Sequence, residues 1–164
     1  MESRLRFLVG RKREFDLVFV HRDAENQSPQ LRRDEIERGR HAAGLEGPVV
    51  PVVPVRMTEA WLLLDEQAIR RVAGKPSGRV PLDLPAARDV ERIADPKQIL
   101  RAALLAASGA AGRRREQFVR DFGRHRALLL ERLDPTGPVS TLAAWRQLCA
   151  DVAGALAAVS RAAT

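Results

Sequence analysis

Near its start the chain sets three titratable side chains one residue apart, His21, Asp23 and Glu25, directly after the apolar run Leu17, Val18, Phe19 and Val20. The run is rich in β-branched and aromatic residues, which predicts a buried strand. Side chains alternate along a strand, so all three polar residues share one face if extended geometry persists to residue 25. Two carboxylates at that spacing, Asp23 and Glu25, can hold Mg²⁺ or Mn²⁺ through hard oxygen ligands and leave waters for phosphate chemistry. His21 beside them is a candidate ligand or general base. Each residue also has a plain structural use: acids commonly open loops, and a histidine at a strand end commonly just makes hydrogen bonds.

Glu59 is a further candidate, as ligand or water-orienting base. It follows a second apolar run and opens a helix, so in a parallel sheet it would lie on the edge where open α/β folds bind ligands. The helix dipole alone is a sufficient reason for an acid at that position. Arg22, Arg33 and Arg56 stand near these elements and are candidate phosphate clamps, because a guanidinium binds phosphate oxygens bidentately; solvated charge is the alternative for each. Arg113, Arg114 and Arg115 begin a helix, against the dipole, which favours an anionic partner.

The elements that must position these groups are legible in order. Residues 1–14 read as a helix tail ending at Gly10. Residues 30–41 read as a solvated helix after the loop Asn26, Gln27, Ser28 and Pro29, terminated by Gly44 and the Gly47-Pro48 pair. Val49, Val50, Val52, Val53 and Val55 require a strand that Pro51 and Pro54 confine to an edge. Thr58 is a plausible cap for a helix over residues 59–73 closed by Gly74. Strand, helix, strand, helix predicts a parallel pair with a crossover. Residues 75–95 form a proline-rich connection, with a short helix over residues 86–94. Helices follow over residues 97–108, 113–133 and from Ser140 or Thr141 to about Ala162, the last with Trp145, Leu148, Val152, Leu156 and Val159 at helical spacing.

The composition bounds the rest. The chain has 164 residues, 45% of them hydrophobic and 30% charged, which fits one soluble globular domain. No apolar run approaches the roughly 20 residues of a membrane span, and the N-terminus reads as no signal peptide. The single cysteine, Cys149, fits a reducing cytoplasm. Net charge is +7 and only Lys12, Lys75 and Lys97 are lysines, so arginine carries the surplus and raises the expectation of nucleic-acid or phosphate contact. Aromatics at 4% and the lack of tyrosine argue against a base-stacking platform. There is no phosphate-binding Gly-rich loop with lysine, no Gly-x-Ser-x-Gly elbow, no His-Glu-x-x-His and no zinc-spaced Cys/His cluster.

Four segments taken together carry a resemblance: Val20-His21-Arg22-Asp23-Ala24-Glu25, Arg33-Asp34-Glu35-Ile36, Val52-Val53-Pro54-Val55-Arg56-Met57-Thr58-Glu59-Ala60-Trp61-Leu62-Leu63 and Asp95-Pro96-Lys97. From about Phe15 onward the chain resembles a family of uncharacterised bacterial proteins with a Toprim-like fold, distantly similar to the nuclease domains of overcoming-lysogenization-defect ATPase systems. The resemblance implies metal-dependent phosphodiester activity. A Toprim site uses a glutamate from its first strand and an Asp-x-Asp at a later strand end. Here His21-Arg22-Asp23 matches the Asp-x-Asp, so His21 replaces the first aspartate and Asp23 and Glu25 supply the acids. The first-strand glutamate has no counterpart, which implies a longer upstream polypeptide or a degenerate relative.

The expectation is therefore an α/β fold: a small, incomplete parallel sheet with a helical C-terminal half. Within one domain, residues 15–74 would be a βαβα core, 75–95 a connection and 96–164 a helical part. The expected activity is metal-dependent phosphodiester hydrolysis on nucleic acid. The alternative is a non-catalytic binding or assembly module of a defence-type system, whose incomplete sheet is finished by a partner protein or by a second copy.

Overall fold

The computed structural model describes residues 2–10, 15–24 and 27–162. Among these the chain is mixed α/β, with eight α-helices, two short 3-10 turns and one parallel two-stranded sheet. It divides into two compact units, Met1–Val55 with Ala143–Thr164, and Arg56–Leu142.

In the first unit β1 (Val18–His21) and β2 (Val49–Val52) pair in parallel, with Val18 opposite Val49 and His21 opposite Val52. The crossover between them is α2 (Pro29–Ala42), as the strand–helix–strand pattern predicts. Ser28 starts this helix in extended geometry, its hydroxyl accepting from the Leu31 N–H at 3.3 Å, and Pro29 suits the first helical position. The ladder outlasts the formal strands: the N–H of Val18 donates to the Pro48 carbonyl, Arg22 to Val52 at 3.0 Å and Ala24 to Pro54 at 2.9 Å.

That pattern explains the prolines. The carbonyls of Pro48, Val52 and Pro54 face β1, so the ring nitrogen of Pro51, an odd position, faces away from it and costs the pair no bond. Pro54 accepts from Ala24 but has no N–H to return, and the ladder stops there.

One face of the sheet forms the core of this unit. Val18, Val20, Val49 and Val53 pack with Leu5 and Leu8 of α1 (Glu2–Gly10), Ile36 of α2, and Leu45. A long alanine-rich helix, α8 (Ala143–Ala162), runs along β2. Its predicted stripe is only partly used: Ala155 is its one buried residue and Leu156 is 53% exposed. Ser140 and Thr141 lie in the turn before it. Their hydroxyls donate to the carbonyls of Gly137 and Pro138, both at 2.8 Å, inside a 3-10 turn over Pro138–Thr141.

The second unit is helical. The helix predicted over residues 59–73 is two, α3 (Thr58–Leu62) and α4 (Glu66–Val72), because the Asp65 carboxylate accepts from the Ala68 N–H at 2.8 Å and starts a new N-terminus. Thr58 is the first helical residue, and extended Met57 takes the cap position without a side-chain bond. The helix predicted over residues 86–94 shrinks to a 3-10 turn at Val90–Arg92. Asp95 caps α5 (Pro96–Ser108) through the Gln98 N–H at 2.9 Å, and Gly109 ends it at φ +62°. The run over residues 113–133 breaks at Asp121 into α6 (Gly112–Arg120) and α7 (Phe122–Glu131).

α3 and α4 pack on α5 and α7. Leu62, Leu63, Ile69, Leu100, Leu104 and Leu129 are under 2% exposed, and each such burial contributes about 2 kcal/mol. Arg70, only 5% exposed, pins the proline-rich connection by donating to Glu66 and, at 2.8 Å, to the Val80 carbonyl. No helix among the described residues is long and apolar enough to cross a membrane.

Candidate functional site

At the end of β1 the predicted face-sharing pair is present. His21 Nε2 lies 3.4 Å from Asp23 Oδ1, with side chains 48% and 28% exposed. Oδ1 itself is buried and accepts no hydrogen bond among the described residues. Glu25 lies outside the described residues. His21 and Asp23 thus offer two donors toward a hard-ligand shell, and Mg²⁺ is commonly held by one or two carboxylates with water and phosphate completing the octahedron. No group of three or more His, Cys, Asp or Glu side chains able to share an ion occurs among the described residues.

The arginines around this edge are largely engaged by the chain's own acids. Arg32 Nη1 donates to both oxygens of Glu35 at 3.0 Å, and Arg22 Nε sits 3.3 Å from the same carboxylate. The Arg32 hydrogen bond holds Glu35 below the usual carboxylate range against the opposing effect of desolvation, and the charges of Arg32, Arg22 and Arg38 add to it. Arg33 grips Asp151 with two bonds of 2.6 and 2.9 Å, which fastens α2 to α8. Arg56 opens the second unit.

Glu59 also belongs to the second unit, in the first turn of α3. Its side chain is 6% exposed and accepts from Arg126 Nε of α7 at 2.8 Å. A carboxylate so buried requires such a partner, and the pair ties α3 to α7. No local pattern links the two, because Arg126 is 67 residues away. Of the candidate residues, then, His21, Arg22, Asp23 and Arg33 belong to the first unit, and Arg56 and Glu59 to the second.

A second feature of β1 is its outer edge. Its even-numbered residues bond to β2, so the N–H and C=O of Phe19 point away from the sheet. No strand pairs with this edge among the described residues, and the Phe19 side chain is 56% exposed. An open groove of about 390 Å³ runs along the edge, with Arg4, Leu5 and Leu8 of α1 on one side and Val18 to Arg22 on the other. Sequence alone does not point to Arg4, because nothing local links residue 4 to residue 19. A further groove of about 330 Å³ lies by the first turns of α2 and α8, beside Pro51, Val53 and Val55.

No protein-family model, no curated protein and no solved structure matches this chain.

Proposed function

We propose that the chain is a non-catalytic binding or assembly module that accepts an additional strand along the free edge of β1. The open edge, with Phe19 half out in solvent beside a strand-sized groove, carries this reading. A two-stranded sheet is marginal by itself, and a row of unpaired backbone donors and acceptors is a template for another strand. The use of Arg33 and Glu59 in internal ion pairs is consistent with it, since both are spent on holding helices together.

A second activity, metal-dependent phosphodiester hydrolysis on nucleic acid, is favoured by the buried, undonated Oδ1 of Asp23 next to His21. In that case Asp23 and Glu25 would hold Mg²⁺ or Mn²⁺, His21 would be a ligand or base, and Arg22 would meet phosphate. The ion would supply Lewis-acid chemistry. The Toprim-like resemblance, carried by His21-Arg22-Asp23, belongs with this activity.

Incubation of plasmid and single-stranded DNA with Mg²⁺ or Mn²⁺, using the parent chain and Asp23→Ala, separates the two. A module gives the same uncut DNA with both proteins. Metal-dependent cleavage that disappears in Asp23→Ala would overturn the module and establish the nuclease.

A further inference from the structure

We infer that the strand taken up at the β1 edge is an extended peptide with alternating acidic and apolar residues. The inference rests on the strand-accepting function proposed above and adds the chemistry of the partner.

The edge sets the geometry. Phe19 offers both an outward N–H and an outward C=O, a donor–acceptor pair that an extended peptide matches and a phosphate, which only accepts, does not. A docked strand lies about 4.8 Å from β1 and runs the length of the groove. Its side chains fall alternately on the two faces of the sheet. One face is that of Val18 and Val20, where Leu5 and Leu8 line the groove, so peptide residues turned that way are apolar. The other face is that of Phe19, which has apolar surface in water to be covered.

Charge sets the sign. Arg4 lines the groove, is exposed, and forms no ion pair among the described residues. Arg22 lies at the other end. It shares Glu35 with Arg32, which already bonds both carboxylate oxygens, so Arg22 can turn toward a new acid without leaving Glu35 unpaired. With one cation at each end, the groove selects a peptide that brings carboxylates. A second copy of this chain brings instead the same Arg4 and Arg22 to the edge and adds a net charge of +7 to one already +7, so like charges oppose self-pairing.

The test uses the whole chain, uniformly labelled, and three blocked hexapeptides in which valine alternates with glutamate, lysine or serine. Binding is followed by amide shifts and by calorimetry. The glutamate peptide is expected to bind roughly tenfold more tightly than the lysine peptide, with the largest shift at the Phe19 amide. Arg4→Glu should invert that preference. Phe19→Pro should abolish binding, because the ring removes the outward N–H and leaves every bond to β2 in place. If Phe19→Pro does not fold, the inversion in Arg4→Glu decides alone.

Lysine, serine and glutamate peptides that bind equally and shift Phe19 would overturn the acidic partner while leaving the strand-accepting module intact. No shift at Phe19 with any peptide would overturn both. Concentration-dependent dimers of the parent chain that vanish in Phe19→Pro would put a second copy in the groove and overturn the acidic partner.

Discussion

Arg33 and Asp151 lie 118 residues apart and meet as a two-pronged ion pair, with N–H···O distances of 2.6 and 2.9 Å and side chains 23% and 17% exposed. Gln147, one turn earlier on α8, donates to the same carboxylate at 3.0 Å. This contact fastens the last helix to α2, alongside the packing of that helix on β2. Asp151→Ala is expected to destabilise the protein by about 1–3 kcal/mol, because it strips a half-buried guanidinium of its partner. Urea unfolding measures this. A variant as stable as the parent would mean that Arg33 is free for another anion.

Glu59 and Asp23 should behave in opposite ways. Glu59 is buried against Arg126, so Glu59→Ala should cost about 2 kcal/mol, and Glu59→Gln, which keeps the shape and an acceptor, less. Asp23 Oδ1 accepts no hydrogen bond among the described residues and has only the half-exposed His21 ring near it, at 3.4 Å, so Asp23→Ala should change stability by less than about 1 kcal/mol. Thermal or urea melts of the three variants check the contrast; a marginal effect at Glu59 with a large one at Asp23 would reverse the assignment of which carboxylate is structural.

Arg70 should control how tightly the proline-rich connection is held. Its guanidinium is the link from α4 to the Val80 carbonyl, and a Cβ on Gly78 would lie 3.3 Å from its Nη1 and 3.0 Å from the Lys75 carbonyl. Arg70→Ala is expected to speed tryptic cleavage after Arg79 several-fold, since local opening exposes the chain to protease. Gly78→Ala, by crowding the same turn, should do so to a smaller degree. Unchanged cleavage in Arg70→Ala would show that the connection is held elsewhere.

The second unit should respond to pH in two directions. Burial lowers the pKa of His125 from 6.5, with Asp121 opposing and Arg124 assisting, and its ring stacks on Phe118 at 4.1 Å. A depressed histidine gives stability that is present above pH 6.5 and lost as pH falls through the folded value. His125→Gln should therefore flatten the loss of stability on acidification below neutrality. Burial raises Glu91 from 4.5. A raised carboxyl gives stability that is present below pH 4.5 and lost as pH rises through the folded value. Glu91→Gln should accordingly stabilise the protein at neutral pH and have little effect in acid. Denaturation midpoints across the pH range test both; a Glu91→Gln effect confined to acid would contradict the sign.

What the sequence determined by itself is local. The apolar run before His21 and the valines after Pro48 mark two strands by composition and alternation, and the Asp95-Pro96 start marks a helix through a cap bond to Gln98 three residues on; each element appears where its pattern sits. The placement of His21 and Asp23 on one face follows from the same alternation. The helix breaks at Asp65 and Asp121 were missed because apolar periodicity runs straight through both, and only the backbone bonds reveal a new N-terminus. Tertiary structure alone decided which carboxylate each arginine meets: Arg126 for Glu59, Asp151 for Arg33, Glu35 for Arg22. The physical reason is range. A hydrogen-bonded turn is selected by its immediate neighbours, whereas a charge pair across 67 or 118 residues exists only after whole helix faces have packed, and that packing is a property of the entire chain.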